Sequence, residues 1–263
     1  MITLSNPDLA IAAVLVLALA LLSARLQADV SRQLLIAAAR TAIQLTLIGL
    51  VLKTLFANVH LAWVTLMALF MLLVAGREVM ARQKRRFRGW WGYALGTVSM
   101  FLSSFTVAVF ALVVILGDTP WYTPQYAIPL LGMLLGNTMN GIAIAMDRLT
   151  TTAWEQREII EARLMLGQSW DEAISAIRQQ AIRSGLIPII NAMAAAGVVS
   201  LPGMMTGQIL AGAPPVEAVK YQILIMFLIT VGTGLGTLGA VTIGSRRLFD
   251  ARQRLCLDRL REN

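Results

Sequence analysis

The sequence predicts an all-α polytopic membrane protein with seven transmembrane helices. Its N-terminus lies outside, its C-terminus is cytoplasmic, and a helical coupling segment sits on the cytoplasmic face. Three observations predict this. Hydrophobic residues make up 57% of the chain and charged ones 14%, against about 25% charged in a soluble domain. Seven apolar stretches approach the roughly 17–25 residues a bilayer crossing takes: about 8–25, 34–57, 60–76, 92–117, 126–146, 185–211 and 220–244. The third observation is that loop charge alternates. Arg25 and Arg32 follow the first stretch, and Arg77, Arg82, Lys84, Arg85, Arg86 and Arg88 follow the third. Arg148, Arg157, Arg163, Arg178 and Arg183 follow the fifth, and six further arginines follow the seventh. The loops near 58–59, 118–125 and 212–219 hold no Lys or Arg. Positive loops stay inside, and an odd number of crossings then separates the two termini.

The first stretch has no basic residue before Arg25. A cleaved signal peptide needs one ahead of its apolar core, so this stretch reads as a retained span. The second carries Arg40 and Gln44, one helical turn apart. Such a charge either snorkels to the surface or joins a polar seam between helices. Trp121, Tyr122 and Tyr126 flank an uncharged loop, where an aromatic belt belongs. The fifth stretch contains "GNTMNG", whose Asn137 and Asn140 lie near Met133 and Met139. Amides at that depth either bond neighbouring helices or line a pathway.

Residues 147–184 form the one sizeable polar segment. Thr152 with Glu155 and Ser169 with Glu172 have the spacing of capping boxes, and Gly167 between them can end a helix. The pattern predicts a helix from about 153 to Gly167 and a second from Ser169 into the sixth span. It suits either a docking surface for a separate motor or a plain connector. The sixth span contains "VVSLPGMMTGQILAG" (198–212). Pro202 and Gly203 predict a hinge or broken helix, since freed backbone groups are tolerated where protein or a cavity satisfies them. Met204 and Met205 read either as flexible filler or as pathway lining, together with Gln208. Small residues at Gly132–Gly136, Gly203–Gly207 and Gly232, Gly236 and Gly239 predict close helix packing. The string "GLGTLG" (234–239) fits G-x-G-x-x-G but lies inside an apolar span, without the βαβ setting a dinucleotide site needs.

With His60 and Cys256 the only residues of their kinds, a His-based metal cluster, a thiolate zinc site and a Ser–His–Asp triad are not expected. Carboxylates in the spans are confined to their ends, at Asp8, Asp118 and Glu217. The net charge of +8 is spread between apolar runs, so lipid and not nucleic acid is the expected partner. No G-x-x-x-x-G-K-[ST] string occurs, so this chain is expected to bind no ATP and to be no enzyme.

"EARLMLG" (161–167) resembles the E-A-A-x-x-x-G motif of bacterial ABC importer permeases: Glu161, Ala162, Gly167 and Ile177 match in type and spacing. Arg163 replaces the second alanine, and Gln179 and Gln180 replace Leu-Pro. With "RTAIQL" (40–45), "IPLLGMLLGN" (128–137), the 198–212 string and "AVKYQ" (218–222), the chain resembles the FetB/YbbM permeases, the UPF0014 family. The resemblance implies one permease domain, 1–263, in the inner (cytoplasmic) membrane. It implies a homodimer working with a separate FetA-like ABC ATPase that holds ATP and Mg. The bacterial type is linked to iron export and resistance to oxidative stress, and plant relatives to nucleotide-sugar transport and aluminium tolerance. Another metal, a metal chelate or a nucleotide sugar is the alternative cargo, and an ATPase-independent channel the alternative class.

Overall fold

A computed structural model describes residues 6–26, 28–57, 59–117 and 119–262; Asp118 lies outside the described residues. The chain divides into two compact units, one ending at Val59 and one beginning at His60. In the first, α1 (Asn6–Leu26) packs along α2 (Ala28–Ala57).

The second unit is built around α6 (Pro124–Glu155), against which α3 (Leu61–Ala81), α8 (Trp170–Ala195) and α10 (Pro215–Arg247) all pack. Each central helix carries a buried stripe at helical spacing. On α3 it is Val64, Ala68, Leu72, Ala75 and Val79. On α10 it runs from Ala218 through Gln222, Ile225, Ile229, Gly232 and Gly236 to Ala240. Steps of three and four residues keep one face turned to a neighbour over the whole length. α4 (Trp90–Met100) and α5 (Thr106–Phe110) join through π-helical turns at 101–105 and 111–116 into one rod that stops at Gly117, φ 60°. Two short helices, α7 (Arg157–Met165) and α9 (Gly203–Leu210), flank α8.

The molecule is thus an all-α polytopic membrane protein in which, among the described residues, six helices are long and apolar enough to cross a membrane, by length and composition. The 185–211 stretch is a broken helix, as Pro202 and Gly203 predict. α8 ends at Ala195, the chain turns through Gly197 at φ 81°, and α9 starts after Pro202. Proline lacks the N–H to continue a helix and pushes Leu201 before it toward extended backbone. Two details differ from the sequence expectation. The Thr152–Glu155 capping box does not form. α6 runs unbroken to Glu155 because its buried stripe continues through Leu149, Thr150 and Ala153, and the break falls at Gln156. Finally, β1 (Arg85–Phe87) pairs antiparallel with β2 (Leu260–Glu262). Three-residue strands are too short to show a period.

The tightest packing is at glycines. A Cβ on Gly185 of α8 would stand 2.5 Å from the carbonyl oxygen of Gly141 on α6 and 3.0 Å from Thr237 Cγ2 on α10. One on Gly236 would stand 2.5 Å from Thr138 Cγ2 and 2.8 Å from Ser103 Oγ. Gly236 and Gly232 therefore pack as expected, whereas Gly136, Gly203 and Gly207 face open space. Beside this junction the Ser104 hydroxyl donates to Thr138 Oγ1 at 3.2 Å.

Gly185→Val is expected to cost about 1–3 kcal/mol, the range for overpacking a filled core. Gly136→Ala, with nothing in the way, is expected to be neutral or stabilising by up to about 1 kcal/mol. Thermal unfolding of the two detergent-solubilised variants checks the contrast.

Candidate functional site

The expected site residues fall in four places. Arg40 and Gln44 lie one turn apart on α2, in the first unit. The other three places are in the second unit.

The first of these is the Pro124 end of α6, where Met204 enters a narrow apolar cavity of about 70 Å³. Met133, Tyr126 and Pro129 of α6 and Tyr221 of α10 share its lining. Pro202 and Gly203 open the short helix that carries Met204 and the half-buried Met205. Gln208 follows one turn after Met204. Its Oε1 is buried and has no hydrogen-bond partner among the described residues, and the same holds for Gln222 Oε1 on the neighbouring α10. Unpartnered buried amide oxygens are costly. Asn137, one turn past Met133, instead donates Nδ2 to the Met133 carbonyl at 2.8 Å.

The second place is an open cleft of about 360 Å³ between α3, α6 and α8, lined by Arg82, Asn140, Ala143, Asp147, Arg148 and Ser184. The Arg82 guanidinium donates to Asn140 Oδ1 at 2.7 Å. The Lys84 backbone N–H donates to Asp147 Oδ1 at 2.6 Å. Two guanidiniums face one carboxylate here, so the cleft keeps a positive excess. Asn140 is thus tied to a loop arginine, a partnership that spacing along α6 could not reveal. Among the described residues, no group of three or more His, Cys, Asp or Glu could hold a metal ion.

The third place is the turn between α7 and α8. α7 buries Ile160 and leaves Glu161 and Ala162 exposed, and Ile177 is buried on α8. Gly167 sits at φ 88°. Its N–H reaches the Leu164 carbonyl at 3.0 Å and the Gln168 N–H reaches the Arg163 carbonyl at 3.2 Å. These are the two bonds of a Schellman motif, which requires the left-handed residue at this position. The turn leaves Met165 and Leu166 more than four-fifths exposed, at 82% and 83%. Ser169 then opens α8 with both halves of the expected capping box: the Glu172 N–H donates to Ser169 Oγ, and the Ser169 N–H donates to Glu172 Oε2 at 2.8 Å. Those Ser169 bonds hold the Glu172 carboxyl below the ordinary glutamate range.

Sequence reasoning missed what braces this turn. The chain after α10 folds back, and Gln253 Oε1 accepts the Trp170 N–H at 2.9 Å. The Phe249 ring lies 5.9 Å from that of Trp170. Asp250 organises the fold-back by accepting the backbone N–H groups of Arg252 and Arg254, and the Arg254 bond is the largest cause of its lowered pKa. The only local signal was an Asp four residues before an Arg.

Residues 6–249 match the model of an uncharacterised protein family, UPF0014. The chain is 40% identical to the UPF0014 membrane protein slr1647 of Synechocystis, over 86% of this chain and 87% of that protein. It is 30% identical to the probable iron export permease protein FetB of Escherichia coli, over 98% of each. It is 33% identical to the protein ALUMINUM SENSITIVE 3 of Arabidopsis thaliana, over 89% of this chain and 82% of that one. No solved structure matches.

A group whose folded pKa is depressed stabilises the fold above its unfolded pKa, and that contribution is lost as pH falls through the folded value. The α8 cap is therefore expected to hold at pH 7 and loosen below about pH 4. Hydrogen exchange at residues 170–173, faster at pH 3 than the intrinsic acid dependence allows, checks this. Glu172→Gln should already exchange faster at pH 7.

Proposed function

The chain belongs to the UPF0014 family, and on that premise we propose that it is the permease subunit of an ABC transporter, exporting iron from the cytoplasm. A separate ATPase subunit supplies ATP and Mg, and two permease copies make the pathway. The support for iron and for export is the name of the Escherichia coli relative, which this chain matches over 98% of both lengths. The support for a motor-driven permease is the geometry of α8. This 26-residue helix spans about 39 Å at 1.5 Å per residue. It starts at the exposed Met165–Gly167 turn, passes the Gly141–Gly185 contact, and ends at the break before Pro202. A push on the turn is carried along one continuous helix, with Pro188 inside it as the one place where it can bend, to the segment bearing Met204 and Met205. This continuity is the observation that carries the proposal.

In this reading the N-terminus is outside and the protein resides in the inner membrane. The sixth crossing consists of the apolar half of α8 and α9, giving seven in all. Met204 shares a cavity with residues that start α6 and α10, which supports the crossing being complete. The irregular backbone at 196–202, with Val198 and Val199 exposed at 89% and 84%, cannot face lipid with its polar groups bare. A second permease copy covers it. Glu161, Ala162, Gly167 and Ile177 form or support the ATPase contact. The positive cleft at Arg82, Asn140 and Arg148 receives cargo from the cytoplasm, and its sign favours iron carried as an anionic chelate. Met204, Met205 and Gln208 line the far end.

Gly167→Val places a β-branched residue at positive φ, a strain of about 1–2 kcal/mol, in open space. It is expected to leave the chain in the membrane and bound to its ATPase but to abolish iron-stimulated ATP hydrolysis. Gly167→Asn, which tolerates that conformation, should restore it. Full transport by Gly167→Val, or a stable conductance with no ATPase present, would overturn the proposal.

A further inference from the structure

We propose that the hollow where α4 begins and α10 ends binds the phosphodiester headgroup of an anionic phospholipid. Four guanidiniums converge there from three separate segments. Arg88 precedes α4, Arg246 and Arg247 close α10, and Arg259 lies in the turn before β2. Two adjoining hollows, of about 610 and 270 Å³, share Trp91, Arg247 and Arg259 as walls. None of the four arginines forms an ion pair with a carboxylate among the described residues. Two carboxylates line the hollows. Asp250 is occupied by Arg254 and by backbone N–H groups, which leaves Asp258 against four positive charges.

Three of the guanidiniums are held in place without being neutralised. The Arg247 guanidinium carbon lies over the Trp91 ring, 4.5 Å from its centre, and that of Arg246 over the Trp170 ring at 4.9 Å. Arg259 donates Nη1 to the carbonyls of Arg247 at 2.7 Å and Phe249 at 3.2 Å. Nε of Arg247 is buried with no acceptor among the described residues. Planar donors fixed by stacking suit a phosphate, which accepts from two nitrogens at once.

The surrounding surface selects a lipid over a free anion or an acidic protein. Trp90 is 75% exposed, Trp91 47% and Ile243 46%, and they stand where two apolar helices end. Indoles at a span end occupy the headgroup level, and basic hollows between spans at that level take anionic headgroups. The apolar wall runs along the spans, where an acyl chain can lie and a water-soluble partner cannot. The inference does not depend on what the protein transports.

The test uses the purified full chain in phosphatidylcholine nanodiscs titrated with phosphatidylglycerol, with bound lipid counted by native mass spectrometry. Phosphatidylglycerol is expected to bind in preference to phosphatidylcholine. Arg88→Gln with Arg247→Gln should weaken it about 30-fold, from about fivefold for each charge lost at a membrane surface, while Arg247→Lys, which keeps the charge but loses the planar stacked donors, gives a smaller loss. Arg88→Gln alone, on an exposed side chain, gives the same sign if the double variant does not fold. Equal retention of the two lipids, an unchanged preference in the variants, or displacement by millimolar inorganic phosphate would each overturn the inference. So would a hollow that stays lipid-free and is protected only when the ATPase is added.

Discussion

Two helix backbones approach until one carbonyl touches the other helix where a side chain would stand: Gly141 on α6 against Gly185 on α8. Most of the second unit depends on this contact. It brings α8 within reach of Thr237 on α10, and α10 in turn packs Gly236 onto Thr138 of α6 and Ser103 of the neighbouring rod. Helices in a bilayer gain nothing from burying Leu against Leu when lipid is as apolar as the side chain. Close backbone approach and hydroxyl contacts are what remain to hold them. The junction supplies both.

α8 is fastened at one end by the Ser169–Glu172 box and by Gln253 from the fold-back, and at its centre by Gly185. Its far end is released at Gly197 and Pro202. The segment bearing Met204, Met205 and Gln208 lies beyond that break, and the exposed Met165–Gly167 turn lies at the other end of α8. The fold-back ties that turn to α10 and, through the β1–β2 ladder, to the loop before α4. One short tail thus joins three otherwise separate segments at the same end of the unit.

Local signals in the sequence were legible where the interaction spans a few residues. Gly167 and the Ser169–Glu172 box stand where the pattern put them, because a cap is made of bonds between residues three to five apart. The Thr152–Glu155 pair has the same pattern and fails. Thr150 and Ala153 are fully buried, and that burial keeps α6 helical past the point where a cap would stop it. Gly185 carried a faint signal, a lone glycine inside an otherwise regular helix, which costs about 1 kcal/mol against alanine unless packing needs it. Its partner could not be read, since Gly141 is 44 positions away and nothing local relates the two.

The sequence by itself determined the membrane class, the break at Pro202 and the left-handed stop at Gly167. These follow from composition and from backbone preferences of single residues. Only the tertiary structure decided that Arg82 meets Asn140, that Met204 shares a cavity with Met133, and that Gln253 caps the α8 entrance. It alone gathered Arg88, Arg247 and Arg259 around Trp91. Each of these joins residues far apart in the chain, and their energies exist only once the helices have packed.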